Sequence, residues 1–165
     1  MEIRTAKPSD LDSLAAVEAL CFPPAEAASR SDLQARLAVY SNHFWLLSHG
    51  GRLISFVNGM VSNEPHLRDD MYQNAALHRE DGLWQMIFGV NTIPECRRQG
   101  CARLLLQRAI SDARTQGRAG LVLTCKPALI HYYASLGFVA EGVSESVHGG
   151  AVWHQMRLRF QPHAP

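Results

Sequence analysis

The stretch "LWQMIFGVN", Leu83 to Asn91, constrains the chain most: it is an almost unbroken apolar run of strand length. A strand that faces water on one side alternates polar and apolar residues, so a run without alternation predicts a strand buried on both faces at the centre of a sheet. Such a strand needs layers above and below it. The residues that follow supply one: Ala102, Leu105, Leu106, Ala109 and Ala113 recur at helical spacing and predict a helix over Gly100–Gln116, stopped by Gly117. A second buried run, "AGLVLTC" from Ala119 to Cys125, completes strand, loop, helix, strand, the parallel crossover unit of an α/β domain.

The flanking elements fit around that unit. Glu2 to Ala6 reads as a short strand, and Ser9 caps a helix from about Asp10 to Leu20. "CFPPAEAAS" breaks it, and Ser31 starts a second helix with Leu33, Leu37 and Tyr40 on one face. Strands over His43–His49 and Arg52–Val61 flank Gly50-Gly51, a pair suited to a tight hairpin. A short helix is expected near Met71 to Leu77, and another from Pro127, carrying Leu129, Tyr132, Tyr133 and Leu136 until Gly137. "FVAEGVSESV", a His148-Gly149-Gly150 turn and "AVWHQMRLRF" close the chain as a hairpin.

Length and composition narrow the function. A chain of 165 residues with 47% hydrophobic and 19% charged residues suits one domain spanning residues 1–165, with no room for a long disordered tract. The formal charge of +1 disfavours long-range attraction to nucleic acid, and Arg97, Arg98, Arg103 and Arg108 lack an aromatic stacking platform. The four cysteines show neither a C-x-x-C pair nor zinc-finger spacing, so no metal is expected and a reduced, cytoplasmic protein is. Neither a secretory leader nor a membrane span is legible.

The loop "ECRRQGCA" joins the central strand to its helix. The first N–H groups of a helix have no internal acceptor and the helix dipole adds positive potential, so this junction is an anion site. The Walker pattern and the G-x-G-x-x-G of dinucleotide folds are both missing, which disfavours ATP and NAD.

Arg97-Arg98-Gln99-Gly100-Cys101-Ala102 after a buried strand, followed by an amphipathic helix, a strand and "YYASLGF", resembles the GNAT superfamily of N-acetyltransferases. "EALCFP", "ALHREDG", "RRQGCARLLL", "TCKPALIHYYASLGF" and "GGAVWHQM" are similar, in the same order, to the serotonin or arylalkylamine N-acetyltransferase branch and its microbial relatives. The resemblance implies an α/β GNAT fold, with a mixed, partly splayed central sheet and helices on both faces. It implies acetyl-CoA as acetyl donor and a small-molecule primary amine as acceptor, joined by direct attack in a ternary complex.

The resemblance also assigns residues. Phe88, Gly89 and Val90 lend backbone groups to the pantetheine arm, a strand N–H near Phe88 polarises the acetyl carbonyl, and the loop from Arg97 through Arg98, Gln99, Gly100, Cys101 and Ala102 to Arg103 cradles the pyrophosphate. Tyr133 matches the tyrosine that protonates the departing thiolate, and Phe22 and Pro23 line the acceptor pocket. The animal enzymes of the branch carry two histidines on the central strand, and the matching positions are Trp84 and Met86, counted with the acceptor pocket.

An alkylamine of pKa about 10 is only about one part in a thousand neutral at pH 7, so its proton must be removed. Neither Trp84 nor Met86 accepts one. His78, Glu80, His131, His154 or a water chain are the substitutes; Cys125 reads as a small buried thiol. Acetylation of a peptide N-terminus, a polyamine or an antibiotic is the alternative, and a non-catalytic CoA-binding sensor a further one.

Overall fold

The computed structural model describes residues 1–162. In chain order the elements are β1 (Glu2–Thr5), α1 (Leu11–Cys21), α2 (Arg30–Tyr40), β2 (Phe44–His49), β3 (Arg52–Asn58), β4 (Val61–Ser62), α3 (Asp70–Gln73), β5 (Trp84–Ile87), β6 (Gly89–Thr92), α4 (Cys101–Thr115), β7 (Gly120–Cys125), α5 (Ile130–Ala134), β8 (Val139–Val143) and β9 (His154–Arg159). Among the described residues no helix is long and apolar enough to cross a membrane.

The expected central strand forms, but in two parts. β5 and β6 are separated at Phe88, and β3 and β4 are separated in the same way after Asn58. One sheet has the order β1-β2-β3-β6 and the other β4-β5-β7-β9-β8, so each broken strand serves first one sheet and then the other. The two halves stay tied across the break, since the Met86 N–H donates to the Met60 carbonyl at 2.8 Å and the Phe88 N–H to the Asn58 carbonyl at 2.7 Å. This close approach requires glycine at 59, where a Cβ would sit 1.8 Å from the Met86 carbonyl oxygen.

The break creates the splay. β5 runs parallel to β7 as far as Ile87 opposite Leu123. Beyond that point β6 pairs with β3, while Thr124 and Cys125 pair with β9 on the other side. A wedge therefore opens between Phe88–Val90 and Thr124–Cys125. β3 is buried from Ile54 to Asn58 and is covered by α1 and α4.

Local chemistry explains the boundaries. α2 begins one residue before the expected Ser31, because Ser29 is its cap: the Asp32 N–H donates to Ser29 Oγ at 3.0 Å and the Ser29 N–H to the Asp32 carboxylate at 3.3 Å. α1 ends at Cys21 because Phe22 is extended ahead of Pro23. The Gly50-Gly51 hairpin forms as expected, with φ of 58° and 79°. The Met71–Leu77 region divides into α3 and a 3-10 turn at Ala75–Leu77. In the closing hairpin the last strand starts at His154, and residues 144–153 form a long connection with a 3-10 turn at His148–Gly150.

Candidate active site

The loop before α4 has the construction that its sequence led us to expect. Gly100 sits in the left-handed region at φ 83° and Arg98 at φ 61°. A Cβ at Gly100 would meet nothing within 4 Å, so backbone conformation calls for glycine there. Arg98 holds a conformation that costs a side-chain-bearing residue about 1 to 2 kcal/mol, a strain that such loops retain where a ligand uses it. The N–H groups of Arg98, Gln99, Gly100, Cys101, Ala102 and Arg103 have no protein acceptor among the described residues. These free donors at a helix start fit the pyrophosphate of a coenzyme.

Side chains brace this loop more than they face a ligand. Arg97 Nε donates to the Thr92 carbonyl at 3.1 Å, Gln99 Nε2 to the Glu95 carbonyl at 3.2 Å, and Arg103 Nη1 to Ser135 Oγ at 3.1 Å. Cys101 is buried, and burial pushes its thiol up.

A cavity of about 600 Å³ occupies the wedge between the sheets. Phe22, Pro23, Phe88, Gly89, Val90 and Tyr133 all line it. Tyr133 is buried, its ring edge-on to Phe138 with centroids 6.1 Å apart. Burial, helped by Tyr132 and Cys125 alongside, holds the Tyr133 phenol well above its ordinary value, so it is a proton donor throughout the neutral range. The Phe88 N–H, expected to polarise a bound carbonyl, is engaged by Asn58 instead.

One wall is aromatic. The Phe88 and Tyr72 rings lie 4.9 Å apart, Tyr72 stacks on His148 at 4.7 Å, and His148 is 6.0 Å from Trp153. His148 Nε2 lies 2.9 Å from the Glu26 carbonyl, which can only accept, so in the neutral ring Nδ1 keeps its lone pair. The turn holding His148 is anchored by Asp69, which accepts from Ser146 Oγ at 2.5 Å and from the Val147 N–H at 3.0 Å. It presses on the Pro23–Ala28 loop so tightly that a Cβ at Gly149 would lie 2.6 Å from Glu26 Cγ. Lys126 pairs with Glu26 at 2.7 Å and lies over Trp153 at 5.8 Å, closing the same side.

Beneath Gly89 lies a set of buried polar side chains. Glu18 comes from α1, Arg36 from α2, Asn58 from β3 and Asn91 from β6. Glu18 Oε1, Arg36 Nε, Asn58 Nδ2 and both polar atoms of Asn91 are buried without a hydrogen-bond partner. Burial raises the Glu18 carboxyl, against opposing contributions from the Ala28 N–H and Arg36. None of these residues, nor Tyr72, His148 or Trp153, stood out in the sequence as functional. For Glu18 and Arg36 a signal existed: each is a charged residue on a buried helical stripe, beside Leu14 and Val17 in one helix and Leu33 and Leu37 in the other.

Other expected positions fall elsewhere. Met86 is fully buried in the core, and Trp84 is covered by the guanidinium groups of Arg157 and Arg159 at 4.5 and 5.1 Å. Neither lines the cavity, because both precede the break at Phe88 and belong to the stretch of β5 closed by β7. His78 and Glu80 join His43 in a separate cluster, with both His Nε2 atoms 2.7 Å from Glu80 Oε2. His78 Nδ1 accepts from the Val61 N–H at 3.0 Å, so its Nε2 carries the proton directed at Glu80. His131 and His154 do not line the cavity. Cys125 does, but burial raises its thiol to about 11 and keeps it protonated.

A family model described as an acetyltransferase (GNAT) domain matches residues 11–160. Among solved structures, the GphF GNAT-like decarboxylase in complex with isobutyryl-CoA superposes with a TM-score of 0.84 at 23% identity, over 98% of this chain and 100% of that one. The ribosomal-protein-S18-alanine N-acetyltransferase from Escherichia coli gives 0.74 at 19% identity, over 99% and 96%. The putative acetyltransferase yncA from Salmonella typhimurium, solved with acetyl-CoA, gives 0.72 at 18% identity, over 100% and 96%.

Proposed function

The chain belongs to the GNAT acetyltransferase domain family, and within it we propose an acetyl-CoA-dependent N-acetyltransferase whose acceptor is a primary amine with an aromatic side chain. The aromatic wall of Phe88, Tyr72, His148 and Trp153 carries this reading. It offers stacking surface for a ring and, within the same surface, an imidazole nitrogen able to take a proton.

The residues fit the coenzyme. The free N–H groups from Arg98 to Arg103 would hold the pyrophosphate, and the edge of β6 at Gly89 and Val90 the pantetheine arm, in the manner of an added strand. Bound there, acetyl-CoA supplies an acetyl group activated as a thioester. The chain's own residues do the rest. The acceptor enters over Phe22 and Pro23 and lays its ring along Tyr72 and Trp153. His148 Nδ1 takes the ammonium proton, and the neutral amine attacks the thioester carbonyl. The Tyr133 hydroxyl protonates the leaving sulfur as the C–S bond breaks, and the second nitrogen proton, lost as the amide forms, restores the phenol. Burial keeps the Cys125 thiol protonated, which favours direct transfer over an acyl-enzyme. Most of the rate enhancement then comes from holding the two reactants together.

The test is thiol release from acetyl-CoA with a panel of arylalkylamines, aliphatic polyamines and a peptide with an N-terminal alanine. The peptide is included because the Escherichia coli relative in fold acts on ribosomal protein S18 alanine. Turnover highest with arylalkylamines supports the reading. Preference for the peptide replaces the acceptor class, and coenzyme binding without turnover on any amine replaces the enzyme with a sensor.

A further inference from the structure

The buried guanidinium of Arg36 has no part in the acetylation of a simple amine, yet it lines the same cavity. Arg36 is 4% exposed. Its Nη1 donates to Asn58 Oδ1 at 3.1 Å and its Nη2 to the Tyr72 carbonyl at 2.8 Å, both neutral acceptors, and its Nε has no partner. Arginine stays charged at any pH a protein tolerates, and an unpaired buried charge is costly. Glu18 lies in the same buried set without an ion pair to Arg36: its Oε2 accepts from the Ala28 N–H at 2.9 Å and its Oε1 has no partner.

The surroundings repeat the imbalance. Asn58 Nδ2 and Asn91 Nδ2 are also buried donors without acceptors, each 3.2 Å from where a Cβ at Gly89 would lie; the unmet acceptors of the set are Asn91 Oδ1 and Glu18 Oε1, the latter 3.7 Å from the same point. The guanidinium carbon lies 5.1 Å from the centre of the Phe88 ring, an arrangement that orients the donor fork at the sheet break. Within this set the unmet donors are Arg36 Nε, Asn58 Nδ2 and Asn91 Nδ2 against the unmet acceptors Glu18 Oε1 and Asn91 Oδ1, and the donor left over belongs to a guanidinium, whose planar fork a carboxylate matches.

We propose that Arg36 receives a carboxylate carried by the bound ligand, placed beside the reacting groups. Resting on the acetyl-transfer reading of this cavity, the inference refines its substrate class to an acceptor such as an aromatic α-amino acid, or a donor whose acyl group bears a carboxylate.

Matched pairs test it. Phenylalanine is compared with 2-phenylethylamine and tryptophan with tryptamine, each with acetyl-CoA, and malonyl-CoA is compared with acetyl-CoA as ligand. Charge-assisted hydrogen bonds in a buried site are worth about 1.5 to 3 kcal/mol, which corresponds to a preference of about 10- to 100-fold for the carboxylated member of a pair. Selectivity in the amine pairs assigns the carboxylate to the acceptor, and selectivity in the coenzyme pair assigns it to the acyl group. Arg36→Gln removes the preference, and Arg36→Lys, which keeps the charge without the fork, restores part of it; circular dichroism and melting verify that both variants fold. A purely structural Arg36 would change stability and leave the ratio between pair members unmoved. Equal kcat/KM within each pair, or a ratio unchanged in folded Arg36→Gln, overturns the inference while amine acetylation stands. Calorimetric binding of the same pairs needs no turnover, so equal affinities overturn the inference even where no acetyl transfer is seen.

Discussion

His148 stacks on Tyr72 with ring centroids 4.7 Å apart and faces the Glu26 carbonyl through Nε2 at 2.9 Å. The carbonyl fixes the ring's orientation and leaves Nδ1 as the nitrogen that can accept a proton. We expect His148→Gln to lower kcat about 100-fold with alkylamine acceptors, the contribution of a general base. Weakly basic arylamines arrive already neutral, so the same variant should retain most of its activity with them. A uniform loss across both amine classes would remove His148 from proton transfer.

Tyr133→Phe removes the proposed acid without disturbing its packing on Phe138, whose ring centroid lies 6.1 Å away. kcat should fall about 100-fold while acetyl-CoA affinity, measured by calorimetry, stays within a few-fold. Burial raises the phenol above its ordinary value. Deprotonation therefore lies at still higher pH, and the wild-type rate should show no alkaline loss from this group below about pH 10. Unchanged kcat in the variant would rule out the assignment.

Gly100→Ala places a side chain at φ 83°. Space is available around its Cβ, so the expected cost is conformational, about 1 kcal/mol or slightly more. If the loop relaxes toward ordinary φ, the free N–H groups diverge and KM for acetyl-CoA rises about tenfold with little change in kcat. A lower melting temperature with an unaltered KM would mean that the loop serves folding alone.

Acid should unfold the protein through the His43, His78 and Glu80 cluster. Burial works to raise the Glu80 carboxyl, but hydrogen bonds from His43, Asn42 and His78 and the charge of His43 bring it from an ordinary 4.5 down to about 2. A depressed carboxyl contributes stability that is complete above its unfolded value and is lost as pH falls through the folded one, here from 4.5 toward 2. Burial also lowers His78 below its ordinary 6.5, so protonating it opposes folding in the same direction as pH falls. Urea midpoints measured between pH 7 and pH 3 should decline, and Glu80→Gln should flatten the lower part of that decline. A parallel decline in the variant would place the sensitivity elsewhere.

The loop proposed to hold the coenzyme was legible in the sequence. The loop before α4 follows from a contiguous strand, loop and helix pattern, which local spacing decides, whereas Gly89, Val90 and Tyr133 were named through the family resemblance. The side proposed for the acceptor was legible only at Phe22 and Pro23, which line the cavity. Tyr72, His148 and Trp153 come from α3 and the 144–153 connection, segments without periodicity, and they meet where Asp69 anchors the His148 turn. Trp84 and Met86 illustrate the converse: the apolar run Leu83–Asn91 reads as one strand and gives no sign of the break at Phe88, which divides it between two sheets and leaves both residues outside the cavity.

By itself the sequence determined the elements with strong periodicity, the crossover unit and the backbone-lined loop, because helix spacing, buried strands and glycine are properties of neighbouring residues. Only the tertiary structure decided where the sheet splays, at Phe88 between β6 and β7, and decided the aromatic wall and the company of Arg36. Those depend on which distant segments share a buried space, and in that space the unmet donors and acceptors of one segment are visible only against the groups that the others bring.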